Sequence, residues 1–257
     1  MQLIDTHCHL YDEAFDSDRN EVVERAVNAG VKRMLLPAID SSNISDLDNL
    51  YNTNPLVFRK MAGLHPTSVK ENYLSELQIV ERQLNDNPDD YVAVGEIGLD
   101  FYWDETYRKE QMQAIDFQLN LASKHHKPVA LHVRKAYNEM FEVLKQHRNN
   151  NLIGVFHCFG SSVQEAEKAI DMGFYIGVGG VVTFKNATLA EVVRQIPIEH
   201  ILIETDAPYL APVLYRGKRN ESAYCTLVAQ KIAELKNTDL ETVASITTAN
   251  AEKLFNL

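Results

Sequence analysis

Cysteine is scarce in this sequence. Only three of 257 residues are Cys (Cys8, Cys158 and Cys225), an odd number without Cys-x-x-Cys spacing. That excludes a disulfide-framed scaffold and fits reduced thiols in a cytoplasmic protein. Long apolar runs are missing as well: none approaches the roughly 18–20 residues that span a bilayer, so no membrane partner is expected. No basic segment precedes Leu3-Ile4-Asp5, and no signal peptide is expected either. Positive charge is in short supply, with 25 Lys and Arg against 36 Asp and Glu, a net charge of −11. This excludes broad electrostatic binding of nucleic acid but leaves room for a local basic patch or a metal-neutralised site. The first turn lacks the glycines that an open dinucleotide-binding sheet requires. Nor does a linker, low-complexity segment or charge run divide the chain, so residues 1–257 are expected to form one domain.

What is present is an alternation. With 45% hydrophobic and 24% charged residues the composition is that of an ordinary globular chain. Short apolar runs, read as strands beginning at Leu3 and over residues 34–39, 60–64, 91–96, 128–133, 152–157, 174–178 and 201–206, recur along it. Amphipathic helical stretches separate them, over residues 19–29, 42–51, 73–84, 107–125, 139–146, 162–172 and 189–194, and helices over 224–235 and 240–255 close the chain. Strands that each lead into a helix form a parallel sheet. Eight such units in 257 residues predict a single (β/α)8 TIM barrel with C-terminal helices.

In such a barrel the chemistry sits at the C-terminal strand ends. Those ends carry His7 and His9 (first), His65 (third), Glu96 (fourth), His132 (fifth), His157 (sixth) and Asp206 (eighth). Five of the nine histidines fall at these few positions. On a strand, residues two apart share a face, so His7 and His9 can reach one ion while Cys8 turns away. Singly, each could be a capping histidine or one member of a structural ion pair. Together they form a nitrogen and oxygen donor set suited to Zn or Mn, with Mg accommodated at carboxylate-rich positions.

The motifs Thr6-His7-Cys8-His9-Leu10, Gly63-Leu64-His65-Pro66, Gly95-Glu96-Ile97-Gly98-Leu99-Asp100, Leu131-His132-Val133-Arg134, Phe156-His157-Cys158-Phe159 and Glu204-Thr205-Asp206-Ala207-Pro208 strongly resemble the TatD-like metal-dependent deoxyribonucleases. The resemblance runs the length of the chain. It implies a barrel of the amidohydrolase superfamily holding two divalent ions, within a family range of one to three. By that resemblance His7, His9, Glu96 and Asp206 would hold one metal, and Glu96, His132 and His157 the other, with Glu96 bridging. A bridged pair suits two-metal hydrolysis of phosphodiesters by a metal-activated water. Asp206 is placed to accept that water's proton, so Asp206 and Glu96 are the catalytic candidates. Glu204 would orient Asp206 or a histidine, or else pair with a Lys or Arg.

Substrate contacts are expected from His65, Asp100, Arg134 and the basic run Arg216-Gly217-Lys218-Arg219, with Asp100 alternatively holding a water or a neighbouring ligand. Phe101-Tyr102-Trp103 is either a base-stacking surface or a packed lid. Strand alternation turns Cys8 and Cys158 toward the helices as structural thiols. Two departures from the family pattern, Tyr215 before the basic run and Lys135 after Arg134, bear on substrate preference and not on the donor set. The expected activity is a hydrolase acting on ester bonds, a deoxyribonuclease of the exonuclease type with DNA the favoured nucleic acid. The alternative is an ester or amide hydrolase of the same superfamily, such as an aminoacyl-tRNA deacylase or a lactonase. The sequence leaves the oligomeric state open.

Overall fold

A computed structural model describes all 257 residues. Eight parallel strands follow one another round a barrel: β1 (Leu3–Asp5), β2 (Val31–Leu36), β3 (Phe58–Ala62), β4 (Tyr91–Asp100), β5 (Val129–Arg134), β6 (Gly154–Phe156), β7 (Phe174–Val178) and β8 (Ile201–Ile203). Closure between β8 and β1 runs through backbone bonds just past the strands. Thr6 N–H donates to Ile203 C=O at 3.0 Å, Asp206 N–H to His7 C=O at 2.9 Å and His9 N–H to Ala207 C=O at 2.7 Å. Nine helices alternate with or follow the strands: α1 (Arg19–Asn28), α2 (Ile44–Thr53), α3 (Tyr73–Asp86), α4 (Arg108–Lys124), α5 (Tyr137–Gln146), α6 (Val163–Asp171), α7 (Thr188–Gln195), α8 (Cys225–Lys236) and α9 (Leu240–Phe255). Local chemistry marks their ends. Ser162 and Glu165 form a reciprocal capping box at α6, and Asp239 caps α9 by accepting the Thr242 N–H.

Strand alternation sorts the core into two parts. One face of each strand packs outward against the helices, in a layer that includes Met34, Leu131, Phe156 and Ile203. The other face fills the barrel with Ile4, Leu35, Met61, Ala93, Ala130, Val155 and Leu202, one from each of seven strands. The floor is closed by Ala251, Leu254 and Phe255 of α9, which belong to the same buried cluster. Apolar filling at the bottom leaves the C-terminal mouth for polar side chains.

Several strands depart from their predicted ends where the polar residues gather. β6 and β8 stop before His157 and Glu204, because these residues leave the ladder to converge on the barrel axis. β4 does the opposite and runs on to Asp100, pairing Gly98 with His132 and Asp100 with Arg134. Its register with β5 slips between Val94 and Ile97, so three steps on β4 match two on β5. Such a bulge reverses side-chain parity. Ala93 faces inward, and without the bulge Glu96 would face the helices. Gly98 is required in this pairing: at φ +151°, a Cβ there would lie 1.9 Å from the His132 carbonyl oxygen.

Candidate metal centre

Glu96, only 2% exposed, is the hub of the barrel mouth. Its Oε2 lies 3.0 Å from His7 Nε2 and 3.6 Å from His9 Nε2. Its Oε1 lies 3.0 Å from His132 Nδ1, 3.2 Å from His65 Nε2 and 3.5 Å from His157 Nε2. Asp206 completes the ring, with Oδ1 3.5 Å from His9 Nε2 and 3.9 Å from His157 Nε2. All six predicted ligands therefore meet in one cluster. His65, expected at the rim for substrate, stands instead among them, since the loop after β3 turns its ring onto Glu96.

Four of the five imidazoles have a second partner that fixes their orientation; His7, whose Nδ1 is buried without one, is instead stacked on His157 at 3.4 Å. His9 Nδ1 bonds Tyr11 Oη at 2.9 Å, and that hydroxyl donates to the Pro37 carbonyl at 2.7 Å, so it accepts from His9 and leaves Nε2 bare toward Glu96. His132 presents Nδ1 to Glu96 because Asp100 Oδ2 holds its Nε2 at 2.8 Å. His65 Nδ1 is 2.7 Å from Thr67 Oγ1. His157 Nδ1 faces Glu204 Oε1 at 3.2 Å, and the same oxygen accepts the Cys158 N–H at 2.6 Å. Glu204 fits there because β7 offers Gly177, where a Cβ would stand 2.5 Å from its Oε2. Asp5 works from behind: its carboxylate accepts the backbone N–H groups of His7 at 3.3 Å and Thr205 at 3.0 Å. Burial pushes Asp5 up to about 7, against the hydrogen bonds from Thr205 and His7 that favour its charge. No pattern in the sequence assigns a role to Tyr11, Thr67, Asp5 or Gly177; only their proximity in strand or loop to a histidine or a carboxylate would have drawn attention.

The electrostatics suit cation binding. Burial would raise Glu96, but the surrounding histidines, His65 and His7 foremost, hold it well below the usual carboxylate range. Burial lowers His7 and His65, which keeps those rings neutral and able to donate a lone pair. Burial also disfavours charge on His132 and His157. There Asp100 and Glu96 overcome it for His132, while Glu204 and Glu96 push His157 up to about 10. A divalent cation can take the place of those protons. Spacing agrees: donors about 2.0–2.1 Å from a tetrahedral ion stand about 3.3–3.4 Å apart, near the separations around both Glu96 oxygens. The donor set, imidazole and carboxylate without thiolate, fits Zn, Mn or Mg.

The predicted substrate residues separate into two groups. Arg134, Arg216 and Lys218 are exposed and make no ion pair; Arg134 lies over the Tyr102 ring at 3.8 Å and Arg216 over Phe184 at 5.0 Å. Arg219 is committed elsewhere, its guanidinium bonded to both Asp18 carboxylate oxygens at 2.7 Å and to Glu221 at 3.3 Å. Asp100 is likewise occupied, by His132 and by the N–H groups of Tyr102 and Trp103. Of the two departures, Tyr215 stacks on Tyr224 at 4.1 Å and Lys135 lies 4.8 Å from the Tyr102 ring. Cys8 points into the helix-side core, as alternation predicts. Cys158 does not: at φ +45° it has left the strand, and its sulfur lies within 4.8 Å of the His157 and Glu204 donor atoms.

A closed barrel with a histidine and carboxylate cluster at its C-terminal mouth defines a metal-dependent hydrolase. The chain belongs to the TatD family: the sequence profile described as TatD related DNase matches residues 4–256. Among its relatives, the metal-dependent hydrolase YabD of Bacillus subtilis is 38% identical over 256 residues, covering 99% of each chain. The 3'-5' ssDNA/RNA exonuclease TatD of Erwinia tasmaniensis is 32% identical over 261 residues, covering 99% of this chain and 100% of that one. The crystal structure of the TatD homologue YjjV from Escherichia coli superposes with a TM-score of 0.93 at 31% identity, covering 99% and 98% of the two chains.

Proposed function

We propose that this hydrolase cleaves phosphodiester bonds of nucleic acid, single-stranded DNA foremost, as an exonuclease working with two divalent ions. The observation that carries the reading is the bridging position of Glu96, each of whose oxygens faces its own group of histidine nitrogens. His7, His9, Glu96 and Asp206 would hold one ion, and Glu96, His132 and His157 the other, with His65 beside the second. When bound, such ions supply the charge that polarises a phosphoryl oxygen and acidifies water.

The protein's own residues provide the rest. Asp206 has the most exposed carboxylate of the cluster, 15% against 3% for Glu96, and so faces the incoming water. Its carboxylate accepts that water's proton and stays charged beforehand because His9, His157 and His7 overcome its burial. Tyr11, Asp100 and Glu204 keep the imidazoles aimed, which limits reorganisation as the reaction proceeds. Arg134, Arg216 and Lys218 hold substrate phosphates at the mouth. The family of the Erwinia tasmaniensis exonuclease supports this substrate class.

The test is a panel of metal-reconstituted protein on single-stranded DNA, RNA, a model phosphodiester and carboxylic esters. Single-stranded DNA should be degraded fastest, with activity lost on chelation and restored by Mn or Zn. Faster turnover of an aminoacyl ester or a lactone than of any diester would replace the nuclease reading.

A further inference from the structure

A cavity of about 210 Å³ opens beside the Glu96 cluster, between the loops that follow β3 and β4. Thr67 and Val69 line it from the first loop, Trp103 and Tyr107 from the second, with Asp100 and Lys70 at its edges. Two of these residues also touch the cluster: Thr67 through His65 at 2.7 Å and Asp100 through His132 at 2.8 Å. A ligand in the cavity therefore sits one residue away from His65 and His132, two of the three histidines on the Oε1 side of Glu96. The volume equals that of about seven liquid waters, room for one planar heteroaromatic ring.

Trp103 is 68% exposed, whereas the neighbouring Phe101 is buried in the core. An indole left this open offers a stacking face. Its backbone is held in place, because Asp100 Oδ1 accepts the N–H groups of Tyr102 at 2.9 Å and Trp103 at 3.3 Å. Cations gather on the outer side: Arg134 lies 3.8 Å from the Tyr102 ring and 5.0 Å from that of Trp103, and Lys135 lies 4.8 Å from Tyr102. At the cavity's edge Lys70, 3.8 Å from Asp104, adds a donor and an acceptor.

We infer that this cavity is a nucleobase subsite, seating one unstacked base of a single-stranded substrate against Trp103 while Arg134 and Lys135 hold the adjoining phosphates. Aromatic stacking beside cationic residues is the usual way single strands are bound without sequence readout. The strand's position relative to Glu96 rests on the phosphodiesterase reading above; occupancy of the cavity by a base can be measured apart from it. Trp103 is the only tryptophan, so intrinsic emission reports this ring alone. The metal-loaded protein is titrated with a phosphorothioate-linked thymidine tetramer, which resists cleavage, and with an abasic tetramer of the same linkage. The thymidine tetramer should quench and shift the emission, and the abasic one should leave it nearly unchanged. Read by isothermal titration calorimetry, because both variants lack the reporting indole, Trp103→Ala should weaken thymidine tetramer binding about 10-fold, leaving abasic binding intact, and Trp103→Phe should recover most of the loss. Equal quenching by both tetramers, or equal loss for both in Trp103→Ala, overturns the subsite. A protein that cleaves DNA without base-dependent quenching loses only the subsite. One that shows base-dependent quenching but hydrolyses only carboxylic esters keeps the subsite and loses the nuclease reading.

Discussion

Asp206 shows how much a single residue's backbone constrains the choice of experiment. It stands at φ +58°, in the left-handed region that Asp and Asn tolerate better than most other residues. Alanine there would confound lost chemistry with backbone strain, whereas Asp206→Asn keeps the conformation and a donor oxygen but removes the proton acceptor. Measured at saturating metal, kcat should fall about 100- to 10,000-fold, with KM little changed and the circular dichroism spectrum unaltered. A near-native kcat would remove Asp206 as the base.

Among the elements, the loop after β8 divides its three cations between two tasks. Arg219 ties that loop to the start of α1 by bonding Asp18, which Arg25 also contacts at 3.4 Å. Arg216 and Lys218, one and three residues past Tyr215, which stacks on Tyr224, point to solvent. Replacing Arg216 and Lys218 together with Ala should weaken single-stranded DNA cleavage. The slope of log activity against log salt at low substrate should shrink by about 1.4, two contacts at about 0.7 each on a single strand. Arg219→Ala should instead lower the melting temperature and leave the salt slope near native. A salt slope that responds to Arg219 and not to the other pair would reverse this division.

For the whole molecule, a net charge of −11 and the four carboxylates Glu96, Asp100, Glu204 and Asp206 at one barrel mouth make cation binding a term in folding. Anything that binds the folded state alone stabilises it by RT ln(1 + [L]/Kd), about 2.7 kcal/mol at a hundredfold excess over Kd. For a chain of 257 residues that is a rise of about 5–10 °C in melting temperature. Dialysis against a chelator should lower the melting temperature by that much, and readdition of Mn or Zn should restore it. Glu96→Ala should abolish the metal-dependent shift and most bound metal, read by elemental analysis, because its carboxylate serves both groups of histidines. Retention of wild-type metal content would show that the two halves bind independently of Glu96.

The sequence by itself determined the alternation of eight strands with helices, the placement of His7, His9, Glu96, His132, His157 and Asp206 at or just past the strand ends, and the opposite facing of Cys8 to His7 and His9. These follow from local rules. A period of two places His132 above the inward Ala130 and His157 above the inward Val155, and apolar runs ending in polar residues mark the mouth. Tertiary structure decided what depends on partners distant in sequence. The slipped register of β4 against β5 turns Glu96 inward, and the extra length of β4 carries Asp100 to His132. The loop after β3 turns His65 onto Glu96, and a carboxylate 201 residues away takes Arg219 out of the substrate group. Cys158 escapes alternation because its strand has already ended. In each case the outcome turns on which groups the folded chain brings within bonding distance. Side-chain periodicity along one segment carries no record of that choice, because hydrogen bonds and ion pairs form through space.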